Sequence, residues 1–486
     1  MVTQVTDSRD SETSIQNQFV STQTRAQAQS TTRLHGALLW TLIATSFAFV
    51  VVQLDVTIVN VALPQISASL HSGVTGLQWV VDAYTLSFAV LLIAAGVLGD
   101  RFGSRRAYLC GFFVFTAASL ACGLAGNILV LIVARAAQGV GAALLVPSSL
   151  ALLNHSAEDD AKLRARMVGL WTAAGGISIA AGPIVGGLLL GPLGWRSIFL
   201  VNLPVGILGA YLTLRYIPRD SQSHGGRSFD LPGQLLAMLT LTGLTGAVIE
   251  MRPLGWAHPV VVGGFVVAMA CGLAFVFVEG QSAAPMLPLR FFTTPNFSPA
   301  VGFGVIVNLT YYGVIFVLSL YLQQARGYSA LQAGLAYLPL TSTFIISNLI
   351  SGWLIGRAGS RLPMTLGALI AATGYALLLA LGPRTPFLIM MPAFMLIPGG
   401  MGLGVPAMTT AILSSVERSW SGTASAVLNT ARQAGAAIGV AAFGAMVGGA
   451  KAEIIPGLHT AAVISSSLLV LAALLAYLGI KKRHAH

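Results

Sequence analysis

Charge is scarce in this sequence. Only 8% of its 486 residues are Asp, Glu, Lys or Arg, whereas soluble domains carry roughly 25%. A chain with so little charge cannot build an ordinary water-facing surface, so a typical soluble protein is excluded. Apolar residues make up 55% of the chain. Runs long enough to cross a bilayer, about 20 residues each, recur between residues 38 and 480, so the sequence predicts a polytopic, all-α membrane protein.

The sequence also lacks the usual marks of a disulfide, a metal site or an enzyme. Its three cysteines lie in apolar runs, and Cys110 and Cys122 are about 18 Å apart on one predicted helix, too far for a disulfide. No cluster of Cys and His suggests a metal, and no GxxxxGK[ST] loop suggests nucleotide hydrolysis. No nucleophile lies with a base inside a span. We therefore expect no enzyme, no metal and no cofactor, and an ion gradient as the energy source.

Breaking the chain at charged, Pro-rich and Gly-rich connectors predicts fourteen membrane spans. Their limits are 38–67, 77–99, 107–125, 128–153, 166–190, 197–217, 231–249, 259–278, 297–322, 331–355, 362–381, 387–413, 422–447 and 458–480. Residues 1–35 are rich in Ser, Thr and Gln and predict a disordered cytoplasmic tail. Residues 481–486 form a second short cytoplasmic tail.

The distribution of Lys and Arg predicts the orientation. With the N terminus inside, nineteen of the 26 Lys and Arg residues fall on the inner side and five in outer loops, as the positive-inside rule requires. The bias places both termini in the cytoplasm and supports an even number of spans in a bacterial plasma membrane. Anionic lipid at the inner surface accounts for the net charge of +11, so no nucleic-acid partner is needed.

An internal repeat divides the chain. Residues 96–105 read GVLGDRFGSR, and residues 352–361 read GWLIGRAGSR at an offset of 256 residues. A weaker echo links residues 139–141 with 400–402 at nearly the same offset. Such repeats are typical of transporters built from two related halves. We predict a six-helix bundle at 36–218, two inserted helices with linkers at 219–295, and a second six-helix bundle at 296–480.

Few charges lie inside the predicted membrane, and each costs at least about 2.5 kcal/mol there. Asp55 lies roughly 22 Å from the inner face, and Arg135 lies roughly 10 Å from the outer start of its span. Across a core of ~30 Å these depths nearly coincide, so the two side chains can approach each other, directly or through water. One hypothesis is that Asp55 exchanges a proton and Arg135 tunes it, and the alternative is a structural ion pair. Asp82 is a second proton-coupling candidate, or an interfacial residue beside Trp79 and Tyr84.

Two further motifs suggest moving parts. The loop after span 2 could form a charge-assisted latch between the bundles, or its arginines could serve only the positive-inside rule. Small residues at four-residue spacing in span 5 permit close helix approach, for a rocking motion or for tight packing alone. The latch residues are Gly96, Asp100, Arg101, Gly103, Arg105 and Arg106. The span 5 residues are Ser178, Gly182, Pro183, Gly186 and Gly187.

Several of these motifs carry a family resemblance. Residues 54–64 (LDVTIVNVALP) resemble the span 1 signature of the fourteen-span drug:proton antiporters of the major facilitator superfamily. Residues 78–84 look like the start of their span 2, residues 96–106 match the superfamily loop motif, and residues 135–141 match its span 4 motif. Residues 175–187, 195–206 and 321–323 are similar to further motifs. The likeness runs from about residue 36 to 480.

The resemblance implies a function. It suggests proton-coupled export of lipophilic drugs or toxic compounds by alternating access, with Asp55 and Arg135 in coupling, Asp100 and Arg101 in the latch, and Gly182-Pro183 setting the exchange direction. A dedicated exporter of one endogenous metabolite or lipid-like molecule is the alternative. We expect a monomer whose partners are small lipophilic substrates, protons and membrane lipid.

The predicted cargo pathway lies between the halves near the midplane. Spans 9–14 contain no mid-membrane carboxylate, which favours neutral or monocationic cargo. The candidate pathway residues, which could equally serve packing, are Asn60, Gln138, Asn308, Tyr312, Phe316, Arg432 and Gln433.

Overall fold

The protein is described by a computed structural model over residues 6–156, 161–218, 230–282, 285, 287–417, 420–447 and 451–481. Helices and short turns account for this described part, and it contains no strand. The first nine helices are α1 (Thr6–Leu70), α2 (Val74–Phe102), α3 (Ser104–Gly123), α4 (Ile128–His155), α5 (Ala161–Leu193), α6 (Ser197–Leu200), α7 (Asn202–Tyr216), α8 (Leu231–Leu254) and α9 (Pro259–Gln281). The remaining helices are α10 (Phe297–Leu320), α11 (Ala330–Ala336), α12 (Leu338–Ala358), α13 (Arg361–Leu377), α14 (Phe387–Leu413), α15 (Ser421–Val447) and α16 (Ile454–Gly479).

The N-terminal segment differs from its prediction. Composition predicts a disordered tail to residue 35, whereas α1 is one helix from Thr6 onward, and its apolar part begins at Leu38. Extending an existing helix adds a hydrogen bond for each residue fixed, without the cost of nucleation. The apolar part therefore supplies the nucleus for the polar turns before it. Residues 1–5 and 482–486, which belong to the predicted tails, lie outside the described residues.

Twelve helices or helix pairs in the described part are long and apolar enough to cross a membrane, or thirteen when the bent α5 counts as one span. Large apolar side chains point outward from them, including Phe113 at 75% exposure and Leu478 at 78%. Such a surface suits lipid and not water. The chain is therefore a multi-pass membrane protein.

The thirteenth predicted span, residues 422–447, falls on α15, which is 27 residues long but is not among those twelve. Asn429, Arg432 and Gln433 lower its hydropathy. This helix packs chiefly against α10 and α2, so protein and not lipid surrounds much of it. Polar residues in a membrane helix are tolerated when they face the interior of the bundle.

Helix contacts repeat between the first and second parts of the chain. In the first part α1 packs on α5, α4 on both α2 and α3, and α7 on both α1 and α3. In the second part α10 packs on α15, α14 on both α12 and α13, and α16 on both α10 and α13. The same pattern of neighbours therefore occurs twice, which agrees with the repeat at residues 96–105 and 352–361.

The two parts meet through α2 with α15 and through α5 with α11. We name the ends of the bundle after the connectors between successive helices: the Gly73 end, where α2 begins, and the Gly103 end, where α2 ends. Gly187 on α5 lies against α11 near the Gly73 end, where a methyl group on it would be 2.7 Å from Leu331 Cα. At the Gly103 end, methyl groups on Gly96 and Gly356 would meet no atom within 4 Å. The halves are thus in contact at the Gly73 end.

Helices α8 and α9 pack on each other, and α8 also contacts α2 and α15. The indole of Trp79 on α2 donates a hydrogen bond to Glu250 at 3.0 Å. Two residues later, Arg252 donates to the carbonyl of Ala445 at 3.0 Å and to Glu453 at 2.6 Å. The end of α8 therefore binds both halves of the chain at the Gly73 end.

Candidate functional site

A buried ion pair joins α1 to α4. Arg135 Nη1 lies 2.5 Å from Asp55 Oδ2, and the exposures of the two residues are 1% and 0%. The predicted approach of these residues is confirmed, and the contact is direct. Arg135 Nε also donates to the carbonyl of Val80 on α2 at 3.1 Å, and its guanidinium lies 4.3 Å from the centre of the Tyr84 ring. Arg135 thus has partners on both α1 and α2, which offset the cost of burying its charge.

Neutral groups from three helices complete the cluster around Asp55. Gln138 Nε2 donates to Asp55 Oδ1 at 2.8 Å and to Ser119 Oγ at 2.8 Å. Asn202 Nδ2 donates to the same carboxylate oxygen at 3.0 Å. Each oxygen of Asp55 therefore accepts at least one hydrogen bond. Asp55 is therefore bonded directly to α4 and α7, and through Gln138 to Ser119 on α3.

Sequence reasoning missed two members of this cluster. Ser119 lies in an apolar stretch of α3, and Asn202 begins α7. The available signal was the amide side chain of Asn202, because a buried amide in a membrane helix needs a hydrogen-bond partner. Nothing in the sequence says which helix face meets Asp55, because hydropathy does not fix the rotation of one helix against another.

Asp82, on α2, is a second buried carboxylate. Its exposure is 0%, so it does not lie at a water-facing interface, and within the described residues neither carboxylate oxygen has a hydrogen-bond partner. One turn earlier, Gln78 donates to the carbonyl of Ala441 on α15 at 2.7 Å. Asp82 therefore belongs to the part of α2 that crosses α15. An isolated charge at such a buried position is costly.

The loop motif after α2 turns at Gly103, whose φ of 94° is in the region that favours glycine. Arg101 and Arg106 are exposed. Arg105 donates to the carbonyl of Leu214 on α7 at 3.2 Å, within its own half of the chain. The side chain of Asp100 lies outside the described residues, so the predicted latch stays a prediction.

The span 5 motif faces two ways. A methyl group on Gly182 would be 2.8 Å from Thr57 Cβ, and one on Gly186 would be 2.9 Å from Ile58 Cγ1, both on α1. Pro183 and Gly187 instead lie against α11 in the other half. Helix α5 bends by 40° between Ile179 and Ala181, where Pro183 removes a backbone donor. Ser178 is buried and donates to the carbonyl of Ala174 at 2.8 Å.

A narrow cleft between the halves reaches this cluster. Tyr84 and Arg135 line it from the first half, and Tyr312 and Gln433 line it from the second. Asn60 also lines the cleft, and its side chain donates to the carbonyl of Val56 at 3.0 Å. The structure thus brings three of the predicted pathway residues, Asn60, Tyr312 and Gln433, to one surface.

The other predicted pathway residues lie elsewhere. Phe316 is fully buried at 0% exposure in the apolar core, so it does not line the cleft. Gln138 belongs to the Asp55 cluster. Asn308 lies one turn from Tyr312 on α10 and donates to the carbonyl of Gly304 at 2.8 Å. Arg432 lies beside α10 and is partly exposed.

A family match accompanies this architecture. The profile described as Major Facilitator Superfamily matches residues 45–440, which is most of the chain. The chain belongs to the Major Facilitator Superfamily. It is accordingly a membrane transport protein and not an enzyme, and the predicted superfamily membership is confirmed.

Two resistance proteins are similar to this chain in sequence, and one solved transporter is similar to it in structure. The chain is 39% identical to "Multidrug resistance protein Stp" of Mycobacterium tuberculosis (strain CDC 1551 / Oshkosh) over 84% of this chain and 76% of that protein. It is 38% identical to "Methylenomycin A resistance protein" of Streptomyces coelicolor over 83% of this chain and 84% of that protein. Among solved structures, a peptide transporter POT in complex with sulfate matches with a TM-score of 0.67 at 14% identity, over 90% of this chain and 93% of that one. The last likeness supports the fold alone.

Proposed function

We propose that this protein exports lipophilic drugs or other toxic compounds from the cytoplasm in exchange for protons. Two relatives in the superfamily are named as resistance proteins, for multiple drugs and for methylenomycin A. The observation that carries the proposal is the buried Asp55 beside a cleft between the two halves. A carboxylate that changes protonation as access alternates is what coupling to a proton gradient requires.

Protonation of Asp55 would remove the charge that holds Arg135 and weaken the bonds from Gln138 and Asn202. The released guanidinium lies next to Tyr84 at the cleft. Cargo and proton would then compete for the same cluster, so cargo arrival would favour loss of the proton and protonation would favour release of the cargo. Asp82, buried without a partner in the described part, is proposed as a second proton carrier.

The proposed orientation places the Gly103 end and both termini in the cytoplasm. The contact of α5 with α11 near the Gly73 end would then close the outer side. We propose that the loop of Gly96 to Arg106 closes the inner side in the opposite state. The direction of exchange would depend on the bend at Gly182-Pro183.

The repeated pairing of helices supports a layout of six, two and six spans. We propose fourteen spans, with α15 as the thirteenth in chain order, in the bacterial plasma membrane. The halves would be residues 36–218 and 296–480, and the inserted pair with its linkers residues 219–295. The protein would act as a monomer surrounded by lipid.

Transport in proteoliposomes tests this proposal. Purified full-length protein should accumulate a lipophilic dye when an imposed proton gradient favours exchange, and protons should move in the opposite direction. The Asp55→Asn variant, at equal protein level, should lose gradient-driven transport. Normal gradient-driven transport by this variant would refute the coupling role.

A dedicated exporter of one endogenous metabolite or lipid-like molecule is the second candidate with the same fold. Growth of an efflux-deficient host on antiseptics, dyes and antibiotics separates the two. Resistance to several unrelated compounds supports broad export, and resistance to only one supports the dedicated exporter.

A further inference from the structure

We propose that Arg432 receives an anionic group of the cargo, so that the preferred substrates are lipophilic weak acids in their anionic form. This inference rests on the proposed export function and specifies its substrate class. Arg432 lies eleven residues from the first residue of α15, or about 16 Å along the helix. That is about half of a membrane core of ~30 Å, far from the lipid headgroups.

The charge of Arg432 is left without a counter-ion in the described part of the chain. Its one hydrogen bond there runs from Nη1 to Asn429 at 3.5 Å, the limit for such a bond. Its Nε is buried and has no partner among those residues. The two ion pairs that the structure describes join other residues. A guanidinium at mid-membrane depth needs an anion or water, so this site has unused capacity for a negative group.

The surroundings of Arg432 allow a ligand to reach it. Part of the side chain is exposed, and the next residue, Gln433, lines the cleft between the halves. Tyr312 lines the same cleft, and its phenol is a further hydrogen-bond donor on that wall.

A glycine on α10 makes room for the arginine. A methyl group on Gly304 would be 2.8 Å from Met408 Sδ and 3.5 Å from Arg432 Cγ. The stem of Arg432 therefore lies against α10 where a larger side chain would crowd it. Val56, Val59 and Val440 line the cleft and supply an apolar wall for the rest of a lipophilic cargo.

This geometry changes the predicted charge of the cargo. Neutral or monocationic compounds were expected because the second half has no mid-membrane carboxylate. The positive side chain of Arg432, one residue from the cleft-lining Gln433, instead repels cations and attracts anions. An anion that leaves the cytoplasm also moves with the usual membrane potential, so its export adds to the driving force of the entering proton.

Three probes with one aromatic body and different charges test the inference. They are pyrenebutyrate, its uncharged methyl ester and the corresponding trimethylammonium compound. Full-length protein in phosphatidylcholine nanodiscs is titrated with each, and binding is followed by energy transfer from tryptophan to pyrene. We expect pyrenebutyrate to bind at least about tenfold more tightly than the ester, as one charge-assisted hydrogen bond allows.

Variants assign that preference to one residue. In Arg432→Gln the affinity for pyrenebutyrate should fall about tenfold, while the ester changes less than about twofold. Arg432→Lys should keep most of the preference because it keeps the charge, and it serves as the test if the Gln variant does not fold. Arg384→Gln removes an exposed arginine of equal charge and should change nothing.

Three results would overturn the inference. The first is equal binding of all three probes by the wild-type protein, and the second is an equal loss for all probes in Arg432→Gln. The third is a wild-type preference that disappears when phosphatidylglycerol is added to the nanodiscs, which would assign the site to lipid. Binding needs no gradient, so a failure of proton-linked transport would refute the proposed function without altering these results.

Discussion

The two arginines inside this membrane bundle have opposite surroundings. Arg135 in the first half is 1% exposed and bonds to Asp55, Gln138 and Val80. Arg432 in the second half is partly exposed and has one long hydrogen bond within the described residues. A charge that is fully paired has little left to offer a ligand, whereas an unpaired one needs a ligand or water.

The comparison teaches that the two related halves carry different chemistry. The same helix pairings recur in both, yet the first half buries a carboxylate cluster, whereas the second carries Arg432, which has no counter-ion among the described residues and precedes the cleft-lining Gln433. We infer a division of labour, in which the first half handles the proton and the second half handles the cargo.

The largest effect should follow from removing the acid of the first half. One charge that crosses 100 mV gains about 2.3 kcal/mol, enough for roughly fiftyfold accumulation. Asp55→Asn should abolish this accumulation in proteoliposomes and leave the downhill movement of cargo measurable. Glu417→Gln, an exposed carboxylate in a connector, is the matched control and should accumulate cargo normally. Loss of accumulation in both variants would show that the effect is not specific to Asp55.

Unfolding of the two arginine variants tests the contrast directly. Arg135→Gln leaves Asp55 buried beside two amides, which should cost about 3–5 kcal/mol of stability. Arg432→Gln leaves no carboxylate behind among the described residues and should cost at most about 1 kcal/mol, the ordinary effect of a substitution. In nanodiscs, the thermal unfolding midpoint of Arg135→Gln should therefore lie clearly below that of Arg432→Gln. Equal midpoints would contradict the different pairing of the two residues.

The contact of the halves at the Gly73 end is sensitive to side-chain size. A Cβ on Gly334 would be 2.9 Å from the carbonyl carbon of Pro183, and overpacking of this kind costs about 1–3 kcal/mol. Gly334→Val should push the halves apart there, seen as longer distances between spin labels on the exposed Leu188 and Leu335. Gly191→Val, which meets no atom within 4 Å, should leave the distances unchanged. Unchanged distances in both variants would mean that this contact does not close the cleft.

The smallest effect should come from the bond between α2 and α8. Trp79→Phe removes one hydrogen bond to Glu250, worth about 0.5–1.5 kcal/mol net. Hydrogen exchange at the Gly73 end of α8 should rise a few-fold. Trp256→Phe, at a 72% exposed position, is the control. Equal exchange in wild type and Trp79→Phe would show that the inserted pair is held by apolar packing alone.

Much of the membrane architecture was predictable because composition and charge act at the scale of whole helices. The depths of Asp55 and Arg135 follow from counting residues along two spans, and their contact is confirmed. α15 was predicted from its length between connectors, although its polar residues make it fail a simple hydropathy test. The helical segment before Leu38 was predicted as disordered, since composition does not register the support of an adjoining helix.

Side-chain partners were less predictable. Asn202 and Ser119 contact the Asp55 cluster because of how α7 and α3 are rotated, and small residues on several faces leave that rotation open. The burial of Asp82 depends on α15 crossing α2, a contact separated by more than 300 residues in the chain. Phe316 was expected in the pathway and lies in the core, because an aromatic residue suits both places equally well.

The contact of α5 with α11, which includes Gly187 and Gly334, also has a consequence for the rate of movement. These residues have no side chains, so closing this end freezes no rotamers at either position, and opening it releases none. A gate made of long side chains would lose up to about 2 kcal/mol per residue in entropy at each closure. Separation and renewed contact at these two positions therefore need little reordering of side chains.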